Sequence, residues 1–523
     1  MSAINEKLEI LNTLYQGTAR IKIECEQELA DFCEDVNRIL RIRAKVRTQN
    51  VSVYPGSSGF CVQIGGRCEF NAVYLSHRRG AEGGICSADF STDFSHEFNA
   101  PVEWAFDDTR LFCQIEPQAE NAVCRPLGPR KLQLRCDLSL QTWIKGNSLV
   151  ELRAGGKDPQ LQERLMPVKV SRLSGCGSKD FELSEETLLP PELPPVERLL
   201  DCSLNLYGSQ ITPHEDRVQF TAHGVLTCSY LPESDQGTAQ PVSFVQPLEI
   251  GQAVECVGCR SGHLAQLCLL PADVQAEVEE NTVGEKRKLR FVIQYGAWVG
   301  AVEEQELSYV EDCYSPFYQL KVDTACFNGQ RALSCREHTV NLEFLAQGAD
   351  ESILSMEEVY GEFHLSKCEP CSEGIRIKGK LLAQALANKE DGSCTPWRDE
   401  FSAEAVLSGD GLGASALEGV VLEMSCGVKE INCHKGAEGL TVRAALHCQL
   451  WLIAPVSEKQ VIGVEKLNSL DRSQGAGVVV YYPDPHETPW SIGKSFGVPM
   501  ADIECAWAQN GGKTPQMLLV TVL

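Results

Sequence analysis

The feature of this sequence that most constrains its fold is an internal repeat. Three landmarks of a first copy return in a second copy in the same order, at shifts of 160, 146 and 157 residues: 35–40 with 195–200, 98–103 with 244–249, and 130–132 with 287–289. Because the order is kept while the spacing varies, the two copies share a framework and differ in their loops. Such a repeat predicts tandem domains with one fold.

Long alternating segments follow the third landmark and bring in a third copy. Apolar residues occupy every second position from Leu132 to Leu140, from Leu289 to Tyr295 and from Leu440 to Leu452. A period of two over this length predicts strands with one buried face. A further match aligns 62–74 with 218–230, and each of these segments ends in a tyrosine.

A tryptophan stands near the end of each alternating run, at Trp143, Trp298 and Trp451. All three fall in the opposite parity to the apolar face. We expect them to cover the other side of a sheet, and an outward-facing anchor is the alternative.

The predicted fold class is mainly β. The chain has 523 residues, enough for about three to five domains. Closely spaced strands with Gly, Asp and Asn turns predict three tandem β-sandwich-like modules. The predicted limits are 1–19 for an N-terminal segment, 20–172 for module 1, 173–327 for module 2, 328–471 for module 3 and 476–523 for a small C-terminal domain.

The C-terminal domain is predicted to have the order βααβ. Thr488 followed by Pro489 is typical of a helix N-terminus, and Gly497 marks the end of that helix. Pro499 opens a second short helix. The flanking strands are predicted at 478–482 and 517–523.

The net charge is −25, from 47 Lys and Arg against 72 Asp and Glu. A field of this sign repels phosphate backbones, which argues against nucleic acid as a partner. No stretch reaches the roughly 20 apolar residues of a membrane span, and the first ten residues lack the apolar run of a signal peptide. We therefore expect a cytoplasmic protein with no transmembrane segment.

The 24 cysteines are then expected to be reduced thiols that fill apolar space. Close spacing occurs in Cys256-Val-Gly-Cys259 and in Cys368-Glu-Pro-Cys371. Two such pairs can form a four-thiolate zinc site, which is the alternative. About 110 residues separate them, and they occupy non-equivalent places in the repeat, so no metal is predicted.

No catalytic constellation is recognisable. Gly493-Lys494-Ser495 matches only the end of a phosphate-binding loop, and Thr488 stands where that loop begins with glycine. The ten histidines show no metal-binding pair. We infer neither an active site nor a cofactor, and we expect a protein that is not an enzyme.

The C-terminal domain resembles a LysM domain. The matching elements are Val-Tyr at 480–481, Thr-x-Trp-Ser-Ile at 488–492, Lys-x-Phe-Gly-Val at 494–498, and Ile503. The resemblance implies binding of N-acetylglucosamine polymers through two loops. The chain departs from the family in both loops, with His486 and Glu487 in place of Gly-Asp and Trp507 in place of Leu-Asn-Pro.

The repeats are similar to the SPOCS domain of SipL-like proteins, over roughly residues 20–470. The elements that carry the resemblance are 198–201, the Phe-x-x-Pro-x-Glu segment at 244–249, and Val-Glu-Asp-Cys-Tyr-Ser-Pro-Phe at 310–317. The second copy is the clear match, and copies one and three are divergent. SPOCS repeats followed by a LysM domain imply a sporulation protein of Clostridia, located in the mother-cell cytoplasm at the forespore surface.

That resemblance implies a scaffold in spore coat and cortex assembly, with a spore coat morphogenetic ATPase as the partner of the LysM domain. The alternative is a cell-wall protein that binds peptidoglycan. Exposed aromatic side chains carry much of the binding energy at protein interfaces. The candidate partner-binding residues are Tyr482, His486, Glu487, Trp490 and Trp507, although each aromatic residue has a core position as its alternative and Trp490 shares a helix face with Phe496.

Overall fold

The structure is a computed structural model that describes residues 5–56, 59–78, 81–100, 110–156, 158–233, 239–270, 273–346, 352–409, 417–436, 439–470, 477–509 and 514–521. Three sequence predictions fall outside these residues: the landmark positions 101–103, the boundary around 471, and the end of the closing strand at 522–523.

The described residues form antiparallel sheets, as the sequence predicts, followed by a short helical stretch between two strands. Module 1 contains β1 (Asn5–Glu28), β2 (Val36–Gly56), β3 (Gly59–Arg78), β4 (Ala81–Ala100), β5 (Leu111–Pro126) and β6 (Lys131–Arg153). Module 2 contains β7 (Gln162–Leu188), β8 (Val196–His214), β9 (Arg217–Pro232), β10 (Val242–Glu255), β11 (Leu264–Leu269), β12 (Asp273–Glu279) and β13 (Lys288–Tyr314). Module 3 contains β14 (Tyr318–Ala346), β15 (Ile353–Cys371), β16 (Gly374–Lys389), β17 (Cys394–Leu407), β18 (Val421–Gly436) and β19 (Gly439–Ser469).

Each module pairs two small sheets of the same topology. The first and last long strands pair with each other, as in β1–β6–β5 and β14–β19–β18, and the middle strands form a meander, as in β2–β3–β4, β8–β9–β10 and β15–β16–β17. In module 2 the short strands β11 and β12 share one edge of β13, and β7 lies on its other edge. The two sheets bury a common core between them, so that each module is a sandwich.

The alternating runs form the central strand of the first sheet in every module. Their apolar residues are almost completely buried, as predicted: Leu132, Leu134, Cys136, Leu138 and Leu140 in β6, Leu289, Phe291, Ile293 and Tyr295 in β13, and Leu440, Val442, Ala444, Leu446, Cys448, Leu450 and Leu452 in β19.

Hydrogen bonds in the first two modules repeat along with the sequence. Arg130 donates to the carbonyl oxygen of Ala30 at 2.7 Å, and Arg287 donates to that of Pro190 at 3.3 Å. The acceptors lie 160 residues apart, which is the shift of the first landmark. In both modules, the arginine of the third landmark therefore donates hydrogen bonds to the backbone just before the first landmark.

The tyrosines that end the 62–74 and 218–230 segments also have equivalent roles. Tyr74 donates its hydroxyl to the carbonyl of Glu34 at 3.0 Å, and Tyr230 does the same to Pro194 at 3.0 Å. Both rings are fully buried. This match between the copies is therefore confirmed in three dimensions.

The second landmark does not occupy equivalent positions in the two modules. Phe98 pairs with Val62, whereas Phe244 pairs with Cys228, whose counterpart in module 1 is Ala72. The two phenylalanines lie at different places along their strands, and the predicted equivalence of 98–103 with 244–249 is wrong.

The long strand pairs continue beyond their sandwiches as two-stranded ribbons. A β-bulge with one extra residue, at Leu14, Ser174 and Leu333, interrupts the register at the point where each ribbon leaves its sandwich. The three ribbons pack together through Ile10, Leu152, Val168, Val170, Tyr309 and Phe327. The modules therefore share a common junction.

The predicted module limits lie inside strands. The limit between 172 and 173 falls within β7, and the limit between 327 and 328 falls within β14. The predicted N-terminal segment 1–19 includes residues 5–19 of β1, which pairs with β6 along its whole length.

Two of the three tryptophans cover the outer side of their sheets near this junction. Trp143 is 8% exposed and Trp451 is 3% exposed. Each tryptophan pairs with the residue that stands two positions after the bulged residue on the neighbouring strand. In module 2 the equivalent position is Gly300, and a Cβ there would lie 2.9 Å from the ring of Phe112. Trp298 lies two residues earlier and is only half-buried.

Buried ion pairs also join the modules. The Lys145 ammonium of module 1 lies 2.5 Å from the Glu423 carboxylate of module 3, with side-chain exposures of 4% and 8%. Arg41 of module 1 lies 3.2 Å from Asp201 of module 2. Charges this deeply buried are stable only when they are paired, so these contacts favour one arrangement of the modules.

Candidate interaction site in the C-terminal domain

The C-terminal domain has the predicted order βααβ. It consists of β20 (Val478–Tyr481), α1 (Pro489–Phe496), α2 (Met500–Gln509) and β21 (Leu518–Thr521), and β20 pairs with β21. Its small core contains Ile492, Val498, Ile503, Leu518 and Val520.

The predicted ends of α1 are confirmed. The Thr488 hydroxyl accepts a hydrogen bond from the Ser491 amide, and the Ser491 hydroxyl accepts one from the Thr488 amide, which completes a capping box. Pro489 occupies the first turn. Gly497 ends the helix with φ at +61°, a left-handed conformation that glycine adopts without a steric penalty.

Helix α1 presents two different faces. Ile492 and Phe496, four residues apart, point into the core of the domain. Trp490, Gly493 and Lys494 share the other face and lie against module 2. The domain therefore docks on module 2 through one face of α1, while the other face of this helix packs into the core of the C-terminal domain.

Asp312 of module 2 is the polar centre of this docking contact. The Trp490 indole Nε1 donates to its Oδ2 at 2.9 Å. The Lys494 ammonium donates to the same oxygen at 2.7 Å and to Oδ1 at 2.8 Å. One carboxylate thus anchors two side chains from a single helix face.

Tyr314 adds a second anchor two residues further along β13. Its hydroxyl donates to the carbonyl of Val498 at 2.8 Å, and its ring meets that of Trp490 edge-on with centroids 5.0 Å apart. Gly493 leaves room for this tyrosine, since a Cβ there would lie 2.6 Å from the Tyr314 hydroxyl oxygen. The backbone amide of Met500 donates to Gln162 at 3.2 Å and completes the contact.

The protonation of this site follows from its contacts. Burial of Asp312 opposes its ionisation, yet the hydrogen bonds from Lys494 and Trp490 hold the pKa of the carboxyl below its usual value. Burial raises the pKa of Tyr314 to about 12, so its hydroxyl is a donor at neutral pH.

Three of the predicted site residues lie on the loop that leads from β20 into α1. Tyr482 is 69% exposed, and His486 is also exposed. Glu487 is half-buried, and its carboxylate accepts a hydrogen bond from the Tyr481 hydroxyl at 2.8 Å. Tyr482 and His486 are available to a partner, whereas Glu487 also holds the loop.

The two predicted tryptophans have different surroundings. Trp507 is half-buried and packs on the core of its own domain. Trp490 is only 9% exposed, and it lies against Asp312, Tyr314 and Arg164 of module 2. Trp490 therefore does not lie in the domain core with Phe496.

The outer face of the β20–β21 sheet is apolar and exposed. Val480 and Leu519 are cross-strand partners with exposures of 52% and 61%. With their neighbours they form an exposed strip, which we call the outer strip: Val478, Val480, Tyr482, Met517 and Leu519. Of this set, only Tyr482 is among the residues predicted to bind a partner. The available signal was the run of apolar residues at 478–480, which places apolar side chains on both faces of the strand. A strand at the surface normally carries polar residues on its solvent face.

The cysteine pairs that suggested zinc are separated by the fold. Cys256 and Cys259 belong to the core of module 2, and Cys368 packs on the core of module 3. Across the part of the chain that the structure describes, there is no group of three or more His, Cys, Asp or Glu residues suited to a metal ion.

Comparisons of the chain with models of protein families, with curated proteins and with solved structures gave no match. Within the described ranges, no helix has the length and apolar character needed to cross a membrane.

Proposed function

We propose that this chain is a non-enzymatic scaffold or adaptor in endospore coat and cortex assembly, and that it binds a spore coat morphogenetic ATPase through its C-terminal domain. The proposal draws on the resemblance of the repeats to SPOCS domains and of the C-terminal domain to LysM domains. The observation that carries it is the outer strip, an exposed apolar surface on a domain that docks on module 2 through other residues.

The arrangement of the C-terminal domain supports a role in binding protein. Scattered apolar residues on a surface are ordinary, but a contiguous strip on a small sheet is typical of interaction sites. Tyr482 lies at the end of the strip and is the type of residue that dominates interface energetics. His486, on the same loop as Tyr482, replaces a glycine of the LysM sugar-binding loop. This replacement favours a protein over a glycan as the ligand of the domain.

The arrangement of the modules supports a scaffold. The three ribbons and the buried pair between Lys145 and Glu423 hold the modules against one another. Asp312 and Tyr314 then fix the C-terminal domain on module 2. A partner bound at the outer strip would be held at a defined position relative to all three modules.

The test is a binding assay of the purified full chain against a purified coat morphogenetic ATPase, with insoluble peptidoglycan in parallel. The chain should retain the ATPase and not the peptidoglycan. Leu519→Asp should weaken retention at least tenfold, because it places a charge within the apolar contact. Val283→Asp is the matched control, since Val283 is 80% exposed on a distant turn of module 2.

Retention of peptidoglycan without the ATPase would overturn the proposal and favour the cell-wall alternative. Equal retention of the ATPase by both aspartate variants would place its binding site elsewhere on the chain.

A further inference from the structure

Two cysteine pairs face each other across neighbouring strands. The Sγ atoms of Cys202 in β8 and Cys228 in β9 are 3.0 Å apart. The Sγ atoms of Cys426 in β18 and Cys448 in β19 are 3.1 Å apart. A disulfide bond is about 2.05 Å long, so each pair of sulfurs lies within about 1 Å of bonding distance.

The backbone already meets the requirements of a disulfide. Cys202 is the direct antiparallel partner of Cys228, and Cys426 is that of Cys448. Direct partners on antiparallel strands have Cα atoms about 4.5–5.5 Å apart, which lies within the usual range for disulfides. Oxidation of either pair therefore requires rotation of side chains rather than movement of strands.

One cysteine of each pair is partly exposed and lines a cleft between modules. Cys202 lines a cleft of about 510 Å³ between modules 1 and 2. Cys426 lines a larger cleft of about 890 Å³ where all three modules meet. Their partners Cys228 and Cys448 are completely buried, so each pair combines a partly exposed cysteine with a buried one.

We propose that these two pairs are dithiol modification sites, which a small disulfide such as oxidised glutathione converts into the intramolecular disulfides Cys202–Cys228 and Cys426–Cys448. This inference does not depend on the proposed function.

The reaction proceeds in two exchange steps. The thiolate of Cys202 attacks one sulfur of oxidised glutathione, which forms a mixed disulfide and releases one glutathione thiolate. The thiolate of Cys228 then attacks the Cys202 sulfur and releases the second glutathione. Each protein dithiol loses two protons and two electrons, and oxidised glutathione takes them up as two molecules of the reduced form. Cys426 and Cys448 react in the same order.

The rate is expected to depend on pH. The hydrogen bond with Cys228, together with burial, raises the pKa of Cys202 well above its usual value. The hydrogen bond with Cys448 and burial do the same to Cys426. Since the thiolate is the attacking species, oxidation at both sites should be slow near pH 7 and accelerate toward pH 9.

The experiment treats the purified full chain with oxidised glutathione at pH 7 and pH 9 and maps its peptides by mass spectrometry without reduction. The exposed Cys326 and Cys505 are the reagent controls, because they should take up glutathione in every reaction. Peptides joined through 202–228 and through 426–448, formed faster at pH 9, are the expected result.

The Cys228→Ser variant tests the order of the steps. It removes the second attacking thiol, so Cys202 should keep its glutathione instead of forming the cross-link. Oxidation of the wild-type chain is also expected to raise Tm by several degrees, since each bond closes a loop of more than twenty residues.

The proposal would be overturned if both pairs remained free thiols while Cys326 and Cys505 were modified. A reaction of the wild-type chain that stopped at the mixed disulfide on Cys202 and Cys426 would also contradict it, because the buried partners would then be out of reach.

Discussion

Trp490 and Asp312, which lie 178 residues apart in the chain, are joined by a hydrogen bond of 2.9 Å from the indole to the carboxylate. This contact links the C-terminal domain to module 2, and it uses a face of α1 that the fold of the domain does not need. It determines which surface of the domain remains open to a partner.

Replacing Asp312 should release the C-terminal domain from module 2. Asp312→Ala removes the acceptor of Trp490 and the partner of Lys494, and it should weaken docking by about 1–3 kcal/mol, because a buried donor is left without an acceptor. The measurement is amide hydrogen exchange in α1, which should accelerate about tenfold or more. Asp502→Asn, an exposed change in α2, is the control and should leave exchange unchanged.

Docking should also fail in acid. The folded pKa of Asp312 is lowered, so its contribution to stability is fully present above the unfolded pKa of about 3.9 and is lost as pH falls through the folded pKa. Tryptophan fluorescence followed from pH 7 to pH 2 should change below about pH 4. Asp312→Asn should remove that transition, and its persistence in the variant would assign it to another group.

A substitution at Gly493 should disrupt docking on module 2 without disrupting the fold of the C-terminal domain. Gly493→Ala raises intrinsic helix propensity, but its Cβ would lie 2.6 Å from the Tyr314 hydroxyl oxygen. We expect the variant to fold as a domain and to lose its place on module 2, again as faster exchange in α1. Adding Tyr314→Phe removes the colliding oxygen and should restore part of the docking. No rescue in the double variant would contradict this steric explanation.

The pair between Lys145 and Glu423 should be important for stability because it is buried. Lys145→Met leaves the Glu423 carboxylate without its cation and should lower the free energy of unfolding by about 3–5 kcal/mol. The measurement is urea unfolding. Arg67→Met, which breaks the exposed pair with Asp93, is the control and should leave the free energy of unfolding nearly unchanged.

The double variant Lys145→Met with Glu423→Gln should recover much of this loss, since it removes both charges. Equal losses in the single and double variants would show that packing, and not the unpaired charge, causes the effect.

Periodicity was sufficient to predict the fold of the individual parts. The alternating run that begins at Leu132 predicted a central strand, and Thr488 and Gly497 predicted both ends of α1. These signals are local, because they depend on side chains a few residues apart. The limit at 172 fell inside β7 because a ribbon that pairs β7 with β13 over its whole length leaves no break in strand pattern.

The docking contact could not be predicted in the same way. Asp312 and Tyr314 lie near the end of β13, yet nothing in the sequence indicates that they meet α1. Trp490 looked like a core residue because a helix buried on two sides has apolar residues on both faces. Identifying the second face required the position of module 2.

The most direct test of the account is amide hydrogen exchange of the full chain, measured with and without the purified coat morphogenetic ATPase. We predict that α1 is already protected in the free chain by its docking on Asp312 and Tyr314, and that the ATPase adds protection at β20 and β21. Exchange of α1 as fast in the wild-type chain as in Asp312→Ala, with both strands unchanged by the ATPase, would contradict these predictions.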